Sequence, residues 1–233
     1  MSPLVIVFIV VAVCVIGLFA YLSYLAEKKR REELFALATE LGWTFYPQRD
    51  YSHDEQYAHF ELFRRGHGRC AFNTLFGSLT IDGRHYDAKM GDFLYKVTSG
   101  SGKSRKTTTY RFSYLIVHLP FPQAPSLLIR PEGMFDKFAS FIGFDDIDFE
   151  SAEFSRKFFV GSSNKRFAYD VIDPRMMEFL LATMPPTIDI EHGRGLFSDG
   201  RVRWSVEEFK NMLHWVTAFF DHWPRHVRDT LSR

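Results

Sequence analysis

Gly102-Lys103-Ser104 has the closing residues of a phosphate-binding loop, in which Gly-rich backbone amides cradle phosphates and the lysine reaches them. The full motif also needs a Gly at position 97, which holds Val97. It must lead into a helix whose N-terminal amides face the phosphates. Here "TTTYRFSYLIVHL" follows, with the alternation of a strand. The stretch is therefore read as the tip of a hairpin between Asp92–Val97 and Thr107–Leu119. Lys103, Arg105 and Lys106 on this Gly/Ser-rich tip are candidates for contact with lipid head groups or an acidic partner; without one they form a solvated tip.

The acidic run "FDDIDFESAE" holds Asp145, Asp146, Asp148, Glu150 and Glu153. Paired carboxylates can bind Mg²⁺ or serve as acid and base. Alternation with Ile147 and Phe149 favours an edge strand with its acids turned to water. His222 and His226 have a spacing that can bind a metal on a helix, but Pro224 lies between them and no carboxylate motif completes the site. His53 and His59 lie in an acidic, Tyr-rich segment without metal-ligand spacing. No G-x-S-x-G elbow is present. The expectation is no metal and no cofactor.

The elements that would position these residues are legible in outline. Arg69–Phe76 alternates as a strand, Asp82-Gly83 is a hairpin signal, and Arg84–Val97 is a second extended stretch in which Gly91 marks a bulge or break. A short apolar strand, Ser126–Arg130, precedes a helix begun by Pro131 with Met134, Phe135, Phe138, Phe141 and Ile142 on one face. Lys157–Val160 and Lys165–Ile172 read as a hairpin around Gly161–Asn164. Asp173-Pro174 starts a helix whose apolar face is Met177, Leu180, Leu181 and Met184. Ser205 and Glu208 form a capping box, with Trp204 and Phe209 as its hydrophobic staple. The helix that follows carries Phe209, Met212, Leu213, Val216, Phe219, Phe220 and Trp223 on one face, and Pro224 interrupts it. The fold class is α+β: an N-terminal transmembrane helix, one mainly antiparallel-sheet domain with packed helices, and a C-terminal amphipathic helix.

Leu4–Leu25 carries no charge and is long enough, at about 33 Å of helix, to cross a bilayer. Lys28, Lys29, Arg30 and Arg31 follow it, so the C-terminal domain is expected on the cytoplasmic side of the inner membrane. A signal peptide would need a basic start and a small-x-small cleavage site, and neither is present. The four cations also suit anionic lipid heads. The expected organisation is an anchor over 1–25, a juxtamembrane helix over 26–42 and a domain over 43–233. A net charge of +1 gives no field suited to nucleic acid. Cys14 and Cys70, on opposite sides of the anchor boundary, exclude a disulfide scaffold.

Within Ile147–Leu180, Glu153, Phe154, Phe159, Val160, Ala168, Pro174, Met177, Glu178 and Leu180 fit a frame of an acidic-aromatic strand, a polar turn, a second strand and a Pro-started helix. The segment resembles an uncharacterised bacterial membrane-associated family known as domain of unknown function 3137. Tyr169 and Asp170 depart from that family, which tends to have Arg and Tyr there. The resemblance implies a membrane span followed by an α+β domain, and brings no activity, cofactor or catalytic residue.

The function expected is a non-enzymatic domain that binds a protein partner or ligand at the cytoplasmic membrane surface. The alternatives are a membrane-tethered hydrolase or metal-dependent enzyme built on the Asp145–Glu153 acids, and a lipid-surface sensor.

Overall fold

A computed structural model describes residues 3–81, 83–119, 121, 123–132 and 146–231. Its first helix, α1 (Pro3–Leu41), is unbroken and about 58 Å long. It is the one described helix long and apolar enough to cross a membrane, and the apolar window is wholly exposed. Its last turns change character: Leu34, Leu37 and Ala38 are buried on the sheet. Gly42, at φ +68°, ends the helix in the left-handed conformation that glycine adopts without strain.

The sheet has eight antiparallel strands in the order β1-β2-β3-β4-β8-β7-β5-β6. They are β1 (Thr44–Tyr46), β2 (His67–Ile81), β3 (Arg84–Ser99), β4 (Lys106–His118), β5 (Leu127–Pro131), β6 (Phe158–Ser162), β7 (Ile188–Glu191) and β8 (Arg194–Phe197). Two long hairpins, β2–β3 and β3–β4, form its backbone. The bulge expected at Gly91 lies instead in the facing strand. The β2 register shifts between Phe72 and Leu75, where Asn73 takes φ +51°. Gly91 is the residue beneath, and a Cβ there would come within 3.0 Å of the Asn73 carbonyl oxygen. A larger residue at 91 would close the space the bulge occupies.

The sheet is covered on both faces. On one lie α1, α5 (Lys165–Val171), α6 (Pro174–Thr183), α7 (Val206–Asp221) and α8 (Arg225–Leu231), over Leu75, Met90, Leu115 and Val117. On the other lie the short helices α2 (His53–Gln56) and α3 (Glu61–Arg64), over Phe93, Phe112 and Tyr114. Helix α4 (Ala152–Lys157) leads into β6.

Two sequence readings need correction. Lys165–Ile172 is a helix, not the second arm of a hairpin. The Asn164 side chain accepts from the Phe167 amide at 3.1 Å, and Phe167, Ala168 and Val171 are buried on one side of the helix. A cap followed by helical spacing outweighs the β propensity of the aromatics. Asp146–Phe149 is irregular chain rather than an edge strand. It borders β6 with one backbone bond, Ile147 amide to Val160 carbonyl at 2.9 Å, and the Asp146 side chain accepts from the Val160 amide at 3.3 Å. In α6 the fully buried residues are Met176 and Leu180, and Met184 is exposed at φ +43°. The helix expected over Met134–Ile142, and Asp145, lie outside the described residues.

The C-terminal region follows the sequence closely. The Ser205–Glu208 capping box is complete, Trp204 meets Phe209 edge to face at 5.3 Å, and Pro224 separates α7 from α8. Phe219 is fully buried against Phe197, Trp215 and Trp223. Phe219→Ala should therefore lower the unfolding free energy of the detergent-solubilised chain by about 3–5 kcal/mol, read from the denaturant midpoint. An unchanged midpoint would mean that α7 is not packed on the sheet.

Candidate functional site

Helix α1 is fastened to the domain by a buried ion pair. Arg30 donates from Nε to Asp92 Oδ2 at 2.7 Å and from Nη2 to Oδ1 at 2.6 Å. This two-pronged geometry is the strong form of the contact. Asp92 is fully buried in β3 and also accepts from Asn73 Nδ2 at 3.2 Å and Ser113 Oγ at 2.7 Å. The third prong of Arg30, Nη1, donates to the Trp204 carbonyl at 2.9 Å, and the Trp204 amide donates to Ser113 Oγ at 2.9 Å. Closer to the apolar segment, Arg203 donates to both oxygens of Glu27, at 2.8 and 3.0 Å. At the far end of α1, Lys210 of α7 reaches Glu40 at 2.7 Å.

The four juxtamembrane cations therefore divide. Arg30 is turned into the domain. Lys28 and Lys29 stay exposed, within reach of Glu32 and Glu33, and Arg31 is exposed. Among the tip residues, Arg105 and Lys106 are exposed, and Lys103 stands in a 3-10 turn, Gly102–Ser104. The turn joins two strands, so the phosphate-loop reading has no helix to rest on. Asp146, Asp148, Glu150 and Glu153 are each exposed; Glu153 pairs with Lys157 at 3.0 Å, and the four do not converge on a site. The His222 ring bonds the Ala218 carbonyl at 2.7 Å and stacks on Phe179, while His226 lies beyond the break in α8. Among the described residues no group of three His, Cys, Asp or Glu could hold a metal.

The opposite face of the sheet holds a polar cluster inside an aromatic shell. His53 is fully buried among Tyr57, Phe63, Phe93 and Tyr114, and neither ring nitrogen has a partner among the described residues. Burial, then the nearby Lys89 charge, holds its pKa well below the usual value. Lys89, also buried, lies 3.6 Å from Asp50 and over the rings of Tyr57 and Phe76 at 5.1 and 5.0 Å. Burial lowers its pKa, and Asp50 opposes the shift. Burial alone would raise Asp50, but hydrogen bonds from Ser52 and the charge of Lys89 bring it below the usual range. A backbone bridge to Ala71 fixes Asp50 beside β2.

This pair borders an open groove of about 420 Å³ at the β1 edge of the sheet, lined by Thr44, Tyr46, Gln48, Arg49, Asp50, Thr74 and Phe76. Tyr46 and Phe76 meet edge to face at 5.4 Å and are both exposed. The groove offers aromatic walls, one cation, one anion and an amide. That is the composition of a binding site. The sequence held a signal for both buried charges, since Lys89 and Asp92 interrupt the apolar run Ala88–Tyr95. Charged residues in such a run are rarely buried without a partner.

A crystal structure of the mycobacterial trehalose monomycolate transport factor A, TtfA, is similar to this chain at a TM-score of 0.55, with 12% identity, over 83% of this chain and 96% of that one. The likeness is one of fold. No family model matches the chain, and no curated protein matches it.

The buried His53 and the half-buried His59 and His118 predict an acid-sensitive fold. Burial lowers the pKa of His53 and His118, and that of His59 to about 4. The unfolded chain takes up these protons near pH 6.5 and the folded chain does so lower, so their contribution is full above about pH 6.5 and is lost as pH falls toward 4. Asp189 and Glu191, raised by burial, act with the opposite sign. The difference between parent and His53→Phe isolates the term: the variant should lose less stability between about pH 7 and 4. Parallel pH profiles would show that His53 takes up its proton at the same pH in the folded and unfolded chain.

Proposed function

We propose that this protein is a non-enzymatic binding domain held at the cytoplasmic face of the inner membrane by its N-terminal span, and that the groove beside β1 receives a protein partner. The observation that carries this reading is α1, which runs without a break from an exposed apolar segment into a buried ion pair with the sheet. A tether of this kind fixes where the domain sits and which way it faces. The cations after the apolar segment support the cytoplasmic orientation. Tyr46, Arg49 and Phe76 support the groove as the contact, because exposed aromatic and Arg side chains are enriched at protein interfaces.

The fold likeness favours a second reading within the same class. The neighbour is described as a transport factor for trehalose monomycolate. By analogy of fold, the partner here would be a component of a lipid-transport system.

The test is photo-crosslinking in intact membranes, with the probe at Tyr46. A discrete protein adduct is expected, weakened by Arg49→Ala and absent with the probe at exposed Thr108. A transport component as the adduct selects the second reading. Equal labelling from Tyr46 and Thr108, or none from Tyr46, would overturn the groove as the partner site.

A further inference from the structure

The tether also fixes the position of the β3–β4 hairpin relative to the bilayer. Arg30 of α1 lies on Asp92, and farther along the chain Trp43 lies against Gly77, which pairs with Ala88. Moving back along α1 toward the apolar segment is therefore moving up β3, from Ala88 to Asp92. Strand β3 continues in that direction to Ser99, about 23 Å beyond Asp92. The helix covers about 17 Å from its end at Leu41 back to Arg30 while the strand advances about 13 Å from Ala88 to Asp92, and the two run in the same general direction. The hairpin therefore extends from the level of Arg30 toward the apolar segment, whose last residue, Leu25, is about 7.5 Å from Arg30 along the helix. The tip thus lies on the side of the domain from which the apolar segment leaves, the side on which lipid head groups would lie.

The charge of this end fits that position. Phe93–Pro131 contains no Asp or Glu. Lys96, Arg105, Lys106 and Arg111 are exposed, and none has an ion-pair partner among the described residues. The tip is also an ordered turn: Ser104 Oγ donates to the Ser101 carbonyl at 2.9 Å, and Thr98 and Thr107 hydroxyls meet across the strands at 2.9 Å. Level with Asp92, where the Val202 carbonyl accepts from the Ser113 amide, the segment ending at Arg203 is held to α1 by Glu27 and presents exposed Arg201 and Val202.

We infer that the β3–β4 hairpin seats on anionic head groups of the same bilayer that α1 crosses, giving the domain a second membrane contact. The tip is Lys103, Arg105 and Lys106, and Lys96 and Arg111 flank it. With two contacts the domain cannot turn about the helix axis, and the β1 groove, at the other end of α1, faces away from the lipid.

The inference rests on the tether reading, and the test separates the two. The full chain with Cys14→Ser is placed in lipid discs of phosphatidylcholine, with or without phosphatidylglycerol. Buried Cys70 stays unlabelled. A fluorophore goes on Ser101→Cys at the tip or on Arg84→Cys at the opposite end of β3, and nitroxide on the lipid head groups quenches it. Failure of the chain to enter discs would sink the tether itself. Given entry, strong quenching is expected at 101 and not at 84, in the anionic discs. It should be lost near 1 M salt, where screening shortens to about 3 Å. Each basic residue near an anionic surface strengthens the contact about fivefold, so changing Lys103, Arg105 and Lys106 together to Gln should abolish the difference between the two disc types. Equal quenching at 101 and 84 would overturn the inference. So would quenching at 101 that is the same in neutral and anionic discs and unmoved by the Gln variant, which means proximity without lipid contact.

Discussion

A carboxylate buried in the middle of a sheet must be neutralised and hydrogen-bonded, and the structure is arranged around doing this for Asp92. Charged groups taken out of water cost several kcal/mol unless paired. Asp92 has its cation from α1, an amide from the bulged Asn73 in β2 and a hydroxyl from Ser113 in β4. The bulge that delivers Asn73 in turn depends on Gly91, the residue before Asp92. Ser113 Oγ and the third prong of Arg30 both hold the backbone of Trp204, and the next residue, Ser205, caps α7. One carboxylate thus sets the relative placement of the anchor helix, the central strands and the start of the C-terminal helix.

This arrangement turns the anchor into a lever. Sharp bends in helices arise at Pro, at Gly or Ser pairs, or at bulges. Between Leu18 and Leu41 there is neither Gly nor Pro, so α1 offers no hinge where it leaves the apolar segment. Leu34, Leu37 and Ala38 then bury its last turns. A flexible linker would let a domain sample all orientations near the bilayer. Here the domain is fixed to α1 in one arrangement, with the basic hairpin toward the apolar end of the helix and the aromatic groove toward the other.

Much of this was legible in the sequence where the signal is local. The long apolar helix, the α7 cap and staple, the hairpin tip and the break at Pro224 each follow from residues close together in the chain. What the sequence hid depends on contacts between distant residues. Arg30 reads as one of four equivalent cations until Asp92, in another element, claims it. His53 reads as part of a polar, acidic segment, yet α2 folds it into an aromatic shell formed by β3 and β4. Lys165–Val171 carries strand-like residues, and burial of Phe167, Ala168 and Val171 together makes it a helix. The groove was invisible for the same reason, since Tyr46 and Phe76 meet only once β1 pairs with β2. For the Asp145–Glu153 acids the sequence pointed to side chains in water but to an edge strand that the described residues do not form. The described ones are exposed, on an irregular chain leading into α4, and the alternative of a carboxylate site finds no convergence among them.

The most direct test of the central claim is a double-mutant cycle on Arg30 and Asp92, by equilibrium unfolding of the full chain in detergent. Either residue replaced by Leu leaves the other charge buried and unpaired, and each single variant should lose about 3–5 kcal/mol. Replacing both removes that penalty, so the double variant should be more stable than the sum of the single losses implies, by about 2 kcal/mol or more. Losses that simply add, to within about 0.5 kcal/mol, would mean that the pair does not fasten α1 to the sheet.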